Sequence, residues 1–466
     1  MRLKKLAMAA GVAALTAGGL TLPLAGTASA ATTLKDDFNG DGYRDLAIGT
    51  PKANAVTVTF GSSSGVGTGT GKAVTVTQET AGLPGASEKE DEFGENVTSG
   101  DINGDGYADL IVGAPGEQVT DWASGSLNVV WGGASGFTKG ATVYHAPSAD
   151  DERFGESAVF VDLDGDDHAQ LAVVSAKKYW WYSDSNKPED AYAPEVEFVP
   201  ADVTLEGLTA DQFHGRGVGK TYTYVLYGKH ADGSPYTGWV NGGPGDIGYY
   251  SGRIDGQYTG STTGTAATGD VNCDGYPDLV TGQPEGNSAW VFYGGSTIFT
   301  DEMEGMDKIT QDSEGVPGVT EAEDRFGASV AVGDVTGDGC DEIAIGAPGE
   351  SVDGVKGTGS VTLLKSGNGS NRAGRSYHQE TAGVPGVAET GDRFGSTVRL
   401  KDINGGGRAD LSVAASGEDI GSAADAGAVT VLRGSSPYPT TTGATSFNGS
   451  DFGLPGAGIA FGTSLR

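Results

Sequence analysis

This 466-residue sequence predicts an all-β fold: a seven-bladed β-propeller of four-stranded blades, closed where the C-terminal strand completes the first blade. Three observations lead to it. A nine-residue acidic loop recurs along the chain, its first Asp falling at 37, 101, 162, 270, 334 and 402. Each loop feeds a short apolar strand with no helical period, ending at Gly113-Ala-Pro115 and Gly346-Ala-Pro348 in a shared turn that Gly49-Thr-Pro51 echoes. Phe-Gly stands eight residues before four of the loops, as Phe93-Gly94, Phe154-Gly155, Phe326-Gly327 and Phe394-Gly395. Repeats of this length with about four short strands each are propeller blades.

The loop Asp101-Ile-Asn-Gly-Asp-Gly-Tyr-Ala-Asp109 defines the pattern. Asp101, Asn103, Asp105 and Asp109 place side-chain oxygens at positions one, three, five and nine, and Gly106 permits a sharp turn with positive φ. A donor set made only of oxygens suits a hard cation, so the chemistry is that of calcium rather than zinc or copper. An EF-hand would need a bidentate Glu at position twelve, where this chain has Val112 inside an apolar run, so the loop joins two strands. Asp37, Asn39, Asp41 and Asp45 repeat the pattern, as do Asp270, Asn272, Asp274 and Asp278; Asp334, Thr336, Asp338 and Glu342 vary it while keeping its oxygens. Two copies are damaged. Asp402, Asn404 and Asp410 lose the fifth position to Gly406, and Asp162, Asp164 and Asp166 are followed by Asp167 where the turn wants Gly and Gln170 where the charge should be.

From the N-terminus, Met1-Arg-Leu-Lys-Lys5, an apolar run to about Leu24 and Ala28-Ser29-Ala30 read as a secretory signal peptide, residues 1–30, cleaved after Ala30. No later stretch is apolar enough to span a bilayer, so the mature protein is expected to be secreted. The net charge of −33 disfavours nucleic acid and anionic membranes. Much of it lies in the loops, whose carboxylates repel one another unless a cation is bound, so stability is expected to depend on calcium. Cys273 and Cys340 sit in two successive loops; an oxidising compartment permits a disulfide, and two isolated thiols are the other reading.

One propeller domain, 31–466, then divides into approximate blades 34–92 with 458–466, 93–153, 154–212, 213–261, 262–325, 326–393 and 394–457. The 108-residue step between the loops at 162 and 270 holds two repeats. In the degenerate one, Phe213-His-Gly215 replaces Phe-Gly, Tyr224-Val-Leu-Tyr-Gly228 resembles the strand after the loop, and the acidic loop is gone. Phe461-Gly462 opens a repeat that then stops, while the first repeat lacks its own Phe-Gly. The last strand therefore completes the first blade and removes a free sheet edge.

Phe-Gly, Gly-Ala-Pro and the form Asp-x-Asn-x-Asp-Gly-x-x-Asp, repeated together over nearly the whole mature chain, resemble the FG-GAP repeat family, whose β-propeller is also found at the head of integrin α-subunits. The resemblance implies calcium in hairpin loops on one face, and ligand or protein binding across the others. It assigns metal-ligand roles to the side chains of the four intact loops, with the backbone carbonyls of Tyr43, Tyr107, Tyr276 and Cys340 at position seven completing each shell. About four calcium ions are expected.

No constellation of catalytic residues stands out. Gly61-Ser-Ser-Ser-Gly65 matches the nucleophile elbow in letters, but the glycine-rich stretch after it cannot form the required helix. The five histidines lack metal-protease spacing, and the paired carboxylates read as metal shells. Trp180 and Trp181 could stack a ligand, against the plainer reading of rings packed between blades. The expectation is a non-catalytic, monomeric, extracellular binding or adhesion module whose partner is a protein or a glycan. A secreted esterase or phospholipase-type hydrolase and a purely structural cell-surface protein are the alternatives.

Overall fold

Runs such as Leu46-Ala-Ile-Gly-Thr50 and Ser360-Val-Thr-Leu-Leu364 are buried at every residue. Burial on both faces explains why they read as short continuous apolar runs rather than clean alternations. The computed structural model describes residues 34–67, 71–119, 124–137, 140–145, 152–161, 170–175, 178–182, 203–212, 222–232, 235–242, 266–294, 306–367, 369 and 372–466. They form seven antiparallel sheets, five four-stranded and two three-stranded.

The first sheet holds β1 (Leu46–Thr50), β2 (Ala55–Thr59) and β3 (Ala73–Thr77); the second holds β4 (Val97–Gly100), β5 (Asp109–Gln118), β6 (Ser124–Val130) and β7 (Ala141–His145). The third has β8 (Ser157–Val161), β9 (Gln170–Ser175) and β10 (Lys178–Tyr182), and the fourth β11 (Val203–Gln212), β12 (Tyr222–His230) and β13 (Pro235–Gly242). In the fifth lie β14 (Ala266–Gly269), β15 (Asp278–Gln283), β16 (Ser288–Phe292) and β17 (Met306–Ile309), and in the sixth β18 (Ser329–Gly333), β19 (Glu342–Ala347), β20 (Ser360–Leu364) and β21 (Gly374–Tyr377). The seventh holds β22 (Phe394–Lys401), β23 (Asp410–Ala415), β24 (Ala428–Arg433) and β25 (Thr440–Asn448). The last strand, β26 (Ser464–Leu465), pairs with β1, so the C-terminus supplies the fourth strand of the first sheet. Among the described residues the only helical pieces are short 3-10 turns.

Apolar clusters lie between neighbouring sheets, and the aromatic ring of Phe-Gly is central to each. Phe93 packs with Val56 and Leu110 between the first and second sheets, Phe326 with Val280 and Ile345 between the fifth and sixth, and Phe394 with Leu363 and Val413 between the sixth and seventh. Truncating such a ring to Ala costs about 3–5 kcal/mol. The glycine that follows has a different task. Gly395 has φ +90°, and the Gly346 of the preceding sheet lies so near that a Cβ on it would stand 2.0 Å from the Gly395 carbonyl oxygen. Gly113 stands in the same relation to Gly155, and Gly282 to Gly327. Phe-Gly and Gly-Ala-Pro recur together because they form the two sides of one backbone contact between sheets.

One boundary needs correction. Val203–Gln212, placed at the end of the third repeat, pairs along its length with β12 and belongs to the fourth sheet. Neither an acidic loop nor an intact Phe-Gly marks this region, and strand pairing overrode the spacing. Three strands of each of the third and fourth sheets lie among the described residues. Residues 1–30 and Phe213-His-Gly215 lie outside the described residues.

Candidate metal centres in the acidic loops

Each intact loop folds around its first carboxylate. In the first, Asp37 accepts the backbone N–H groups of Gly40, Asp41 and Gly42 at 2.7, 3.1 and 2.9 Å, and Asn39 Oδ1 accepts that of Asp41 at 3.0 Å. Asp41 in turn accepts from Tyr43 N–H at 3.0 Å. The loops at Asp101, Asp270 and Asp334 repeat the bonds to positions five and six, and the bond from position seven to the fifth carboxylate. Gly42, Gly106, Gly275 and Gly339 take φ between +87° and +89°, the left-handed region that glycine enters without steric cost.

The ninth position does something more. Asp109 is fully buried at the first residue of β5; its Oδ2 accepts Ile102 N–H and its Oδ1 accepts Gly132 N–H, both at 2.9 Å. Asp45, Asp278 and Asp410 staple their loops to the following hairpin in the same manner. Glu342 takes both bonds from its own loop, at Val335 and Thr336. Burial, partly offset by these N–H donors and reinforced by the neighbouring Asp side chains, pushes the carboxyls of Asp45, Asp109, Asp278 and Glu342 up to about 7 and that of Asp410 to about 6. Among the described residues no acidic loop brings three carboxylate oxygens within 4.8 Å of one another. Position one turns its oxygens onto the loop's own N–H groups, position five is exposed in all four intact loops, and a donor set without nitrogen or sulfur fits calcium.

Successive loops are laced together. A Cβ built on Gly40, at position four of the first loop, would meet the ring of Tyr107, at position seven of the second, at 2.4 Å. Arg408 covers Gly337 and Tyr43 covers Gly405 in the same sense. Between the loops at Asp270 and Asp334 this pair is Cys273 and Cys340, joined as a disulfide across 67 residues. The bridge settles the open reading of the two cysteines. Asp341 beside it, which carried no signal in the loop pattern, accepts Asp270 N–H at 2.9 Å and is pushed up to about 6 by burial.

In the damaged seventh loop Asn404 has turned inward, and its Nδ2 donates to both oxygens of Asp410 at 2.9 and 3.0 Å. With Gly406 there is no fifth carboxylate to hold it outward. Asp162, Asp164 and Asp166 lie outside the described residues. Trp180 and Trp181 pair through the backbone with Val173 and Ala172 of β9; their side chains are outside the described set. Ser62–Gly65 is a turn, Gly65 N–H donating to the Ser62 carbonyl at 2.7 Å, and among the described residues no helix follows it.

Residues 30–73, 93–131, 262–297 and 326–364 match the FG-GAP repeat, so the chain carries that repeat in four places. Over 104 residues it is 36% identical to integrin alpha-PS5 of Drosophila melanogaster, a match covering 21% of this chain and 10% of that protein. The chain thus spans about a tenth of that relative's length. Among solved structures it is similar to the BP39L lectin from Burkholderia pseudomallei, at 12% identity and TM-score 0.48 over 88% of this chain and 99% of that one. BBS1N in complex with ARL6DN is similar at 9% identity and TM-score 0.44, over 81% and 85%. Among the described residues no helix is long and apolar enough to cross a membrane.

Proposed function

We propose that this chain is a secreted, calcium-stabilised, seven-bladed β-propeller that acts as an extracellular binding or adhesion module. The observation that carries the reading is the recurrence of one oxygen-lined loop at Asp37, Asp101, Asp270 and Asp334, each followed by a buried, stapling carboxylate. Calcium, when bound, supplies positive charge to loops whose carboxylates otherwise repel. Asp37, Asn39, Asp41 and Asp45, with the Tyr43 backbone carbonyl, would hold it in the first loop, and the equivalent positions in the other three.

Seven sheets in chain order and the pairing of β26 with β1 support closure as a propeller. Closure has a physical benefit, since the first sheet is left without a free edge on that side. FG-GAP repeats and the integrin match support a binding role, and rigid sheets bearing variable loops are a common way to present one. Glycan and protein arrays probed with residues 31–466 test this. Saturable binding that is lost in chelator and restored by calcium is expected, and the absence of any saturable hit would favour a structural protein without a ligand.

A further inference from the structure

Position four of an acidic loop takes a left-handed backbone. Gly40, Gly104, Gly337 and Gly405 stand there with φ of +71°, +70°, +74° and +66°. In the loop at Asp270 the residue is Cys273, at φ +66°, a conformation that costs an L residue free energy and a glycine almost none. The turn at Cys273 is what lets its two neighbours meet. Asn272 Oδ1 accepts Asp274 N–H and Asn272 Nδ2 donates to Asp274 Oδ2, both at 2.9 Å, across that residue. Asp270 closes the turn further on, accepting the N–H groups of Asp274 and Gly275 at 3.1 and 2.8 Å. A relaxation of Cys273 to negative φ would therefore part the side chains at positions three and five.

The bridge to Cys340 is not needed to fasten this loop to its neighbour. Asp341 N–H donates to the Asp270 carbonyl at 2.9 Å, and the same bond runs from Ala108 to Asp37 at 3.0 Å and from Ala409 to Asp334 at 2.7 Å, where there is no cysteine. Asp341 Oδ2 also accepts Asp270 N–H at 2.9 Å. What the bridge adds is a covalent hold on the one position-four residue, among the described loops, that is not glycine. Cys273 is exposed, so the bridge is open to a reductant in solution.

We infer that the Cys273–Cys340 bridge is a redox switch on the calcium affinity of the loop at Asp270, an inference that rests on the calcium reading proposed above. A dithiol reductant, as thiolate, attacks one sulfur of the bridge and displaces the other cysteine. Its second thiol then displaces the first, leaving two protein thiols and a cyclic disulfide, so that two electrons and two protons pass to the protein. Cys273 regains the ordinary preference of an L residue for negative φ, and Asn272 and Asp274 lose their alignment. The loop at Asp334 keeps Gly337, and those at Asp37 and Asp101 keep Gly40 and Gly104, so one site weakens and three do not. The loss is about tenfold in affinity, the scale set by the cost of holding a non-glycine residue left-handed. By linkage, calcium bound to that loop resists reduction of the bridge by the same factor.

The test uses the chain of residues 31–466. Calcium binding is followed by titration calorimetry before and after reduction with dithiothreitol, and thiol alkylation with mass analysis reads the fraction of bridge reduced. One site should weaken about tenfold on reduction. Half-reduction in saturating calcium should need about ten times the ratio of reduced to oxidised dithiothreitol that it needs in chelator. Identical isotherms, or a half-reduction point that calcium leaves unmoved, overturn the switch while the loop sites stand. An oxidised chain that binds no calcium overturns the calcium reading itself, and the switch with it. In dithiothreitol, Cys273→Gly should bind calcium as the oxidised parent does, and Cys273→Ser as the reduced parent does. Equal affinities in these two variants would mean that the backbone at position four is not what the bridge controls, and the proposal falls.

Discussion

Cys273 is bonded to Cys340 at the place where, in neighbouring loops, a position-seven side chain covers a position-four glycine. Cys273 has φ +66°, close to the +70° of Gly104 and the +74° of Gly337. The bridge thus replaces a Gly-Tyr contact in an unchanged backbone. Closing 67 residues is worth about 4 kcal/mol by loop entropy. Cys273→Ser with Cys340→Ser should lose most of that in denaturant unfolding. Cys273→Gly with Cys340→Tyr should recover part, because glycine accepts the positive φ at no steric cost. Equal stability of the two double variants would contradict the equivalence.

The stapling carboxylates predict an unusual pH dependence. Because Asp45, Asp109, Asp278 and Glu342 are pushed up to about 7 in the folded state, the native chain holds protons that the unfolded chain has released above its ordinary carboxylate range. Stability in chelator should therefore fall as pH rises from about 4 to 7. Calcium favours the charged loops, so its effect on the melting temperature should grow across the same window. A calcium-free chain that becomes more stable between pH 5 and pH 8 would contradict the assignment.

Lys401 ties three distant parts of the chain together. Its Nζ is 3.1 Å from Asp36 Oδ2 and donates to the Asp45 carbonyl at 2.8 Å, while Arg466 Nε lies 2.9 Å from Asp36 Oδ1 and Ser99 Oγ also donates to Asp36. Lys401 and Asp36 are almost wholly buried. Lys401→Met should destabilise the chain by about 3–5 kcal/mol in urea unfolding, since it leaves Asp36 with one fewer counter-charge in the interior. A loss comparable to that of an exposed pair, under about 1 kcal/mol, would show that the cluster is solvated.

The contact between Gly346 and Gly395 predicts a severe effect from one methyl group. Gly346→Ala sets a Cβ against a backbone carbonyl that cannot swing away, and should cost about 1–3 kcal/mol or more. A neutral change in urea midpoint would mean that the sheets separate easily there.

Much of this architecture was legible because it is repeated. Phe-Gly, the acidic loop and the strand after it locate six of the seven sheets, and Phe461-Gly462 foretells the pairing of β26 with β1. The fourth sheet was misdivided because Val203–Gln212 carries none of those signals. Other features were hidden for physical reasons. The burial of the carboxylate at position nine and its bonds to the following hairpin leave no mark in the loop's spacing. Lys401 reads as an ordinary polar strand residue, and its partner Asp36 lies far away in sequence.

The most direct test is the number of calcium ions bound when the fifth-position carboxylates are neutralised together, as Asp41→Asn, Asp105→Asn, Asp274→Asn and Asp338→Asn in the chain of residues 31–466. Those side chains stand on the outward side of the four intact loops and hold no sheet together. The variant should bind four fewer ions than the parent and lose most of the calcium-dependent rise in melting temperature. An unchanged ion count, with the same rise in calcium over chelator, would mean that the loops are acidic turns and not calcium sites.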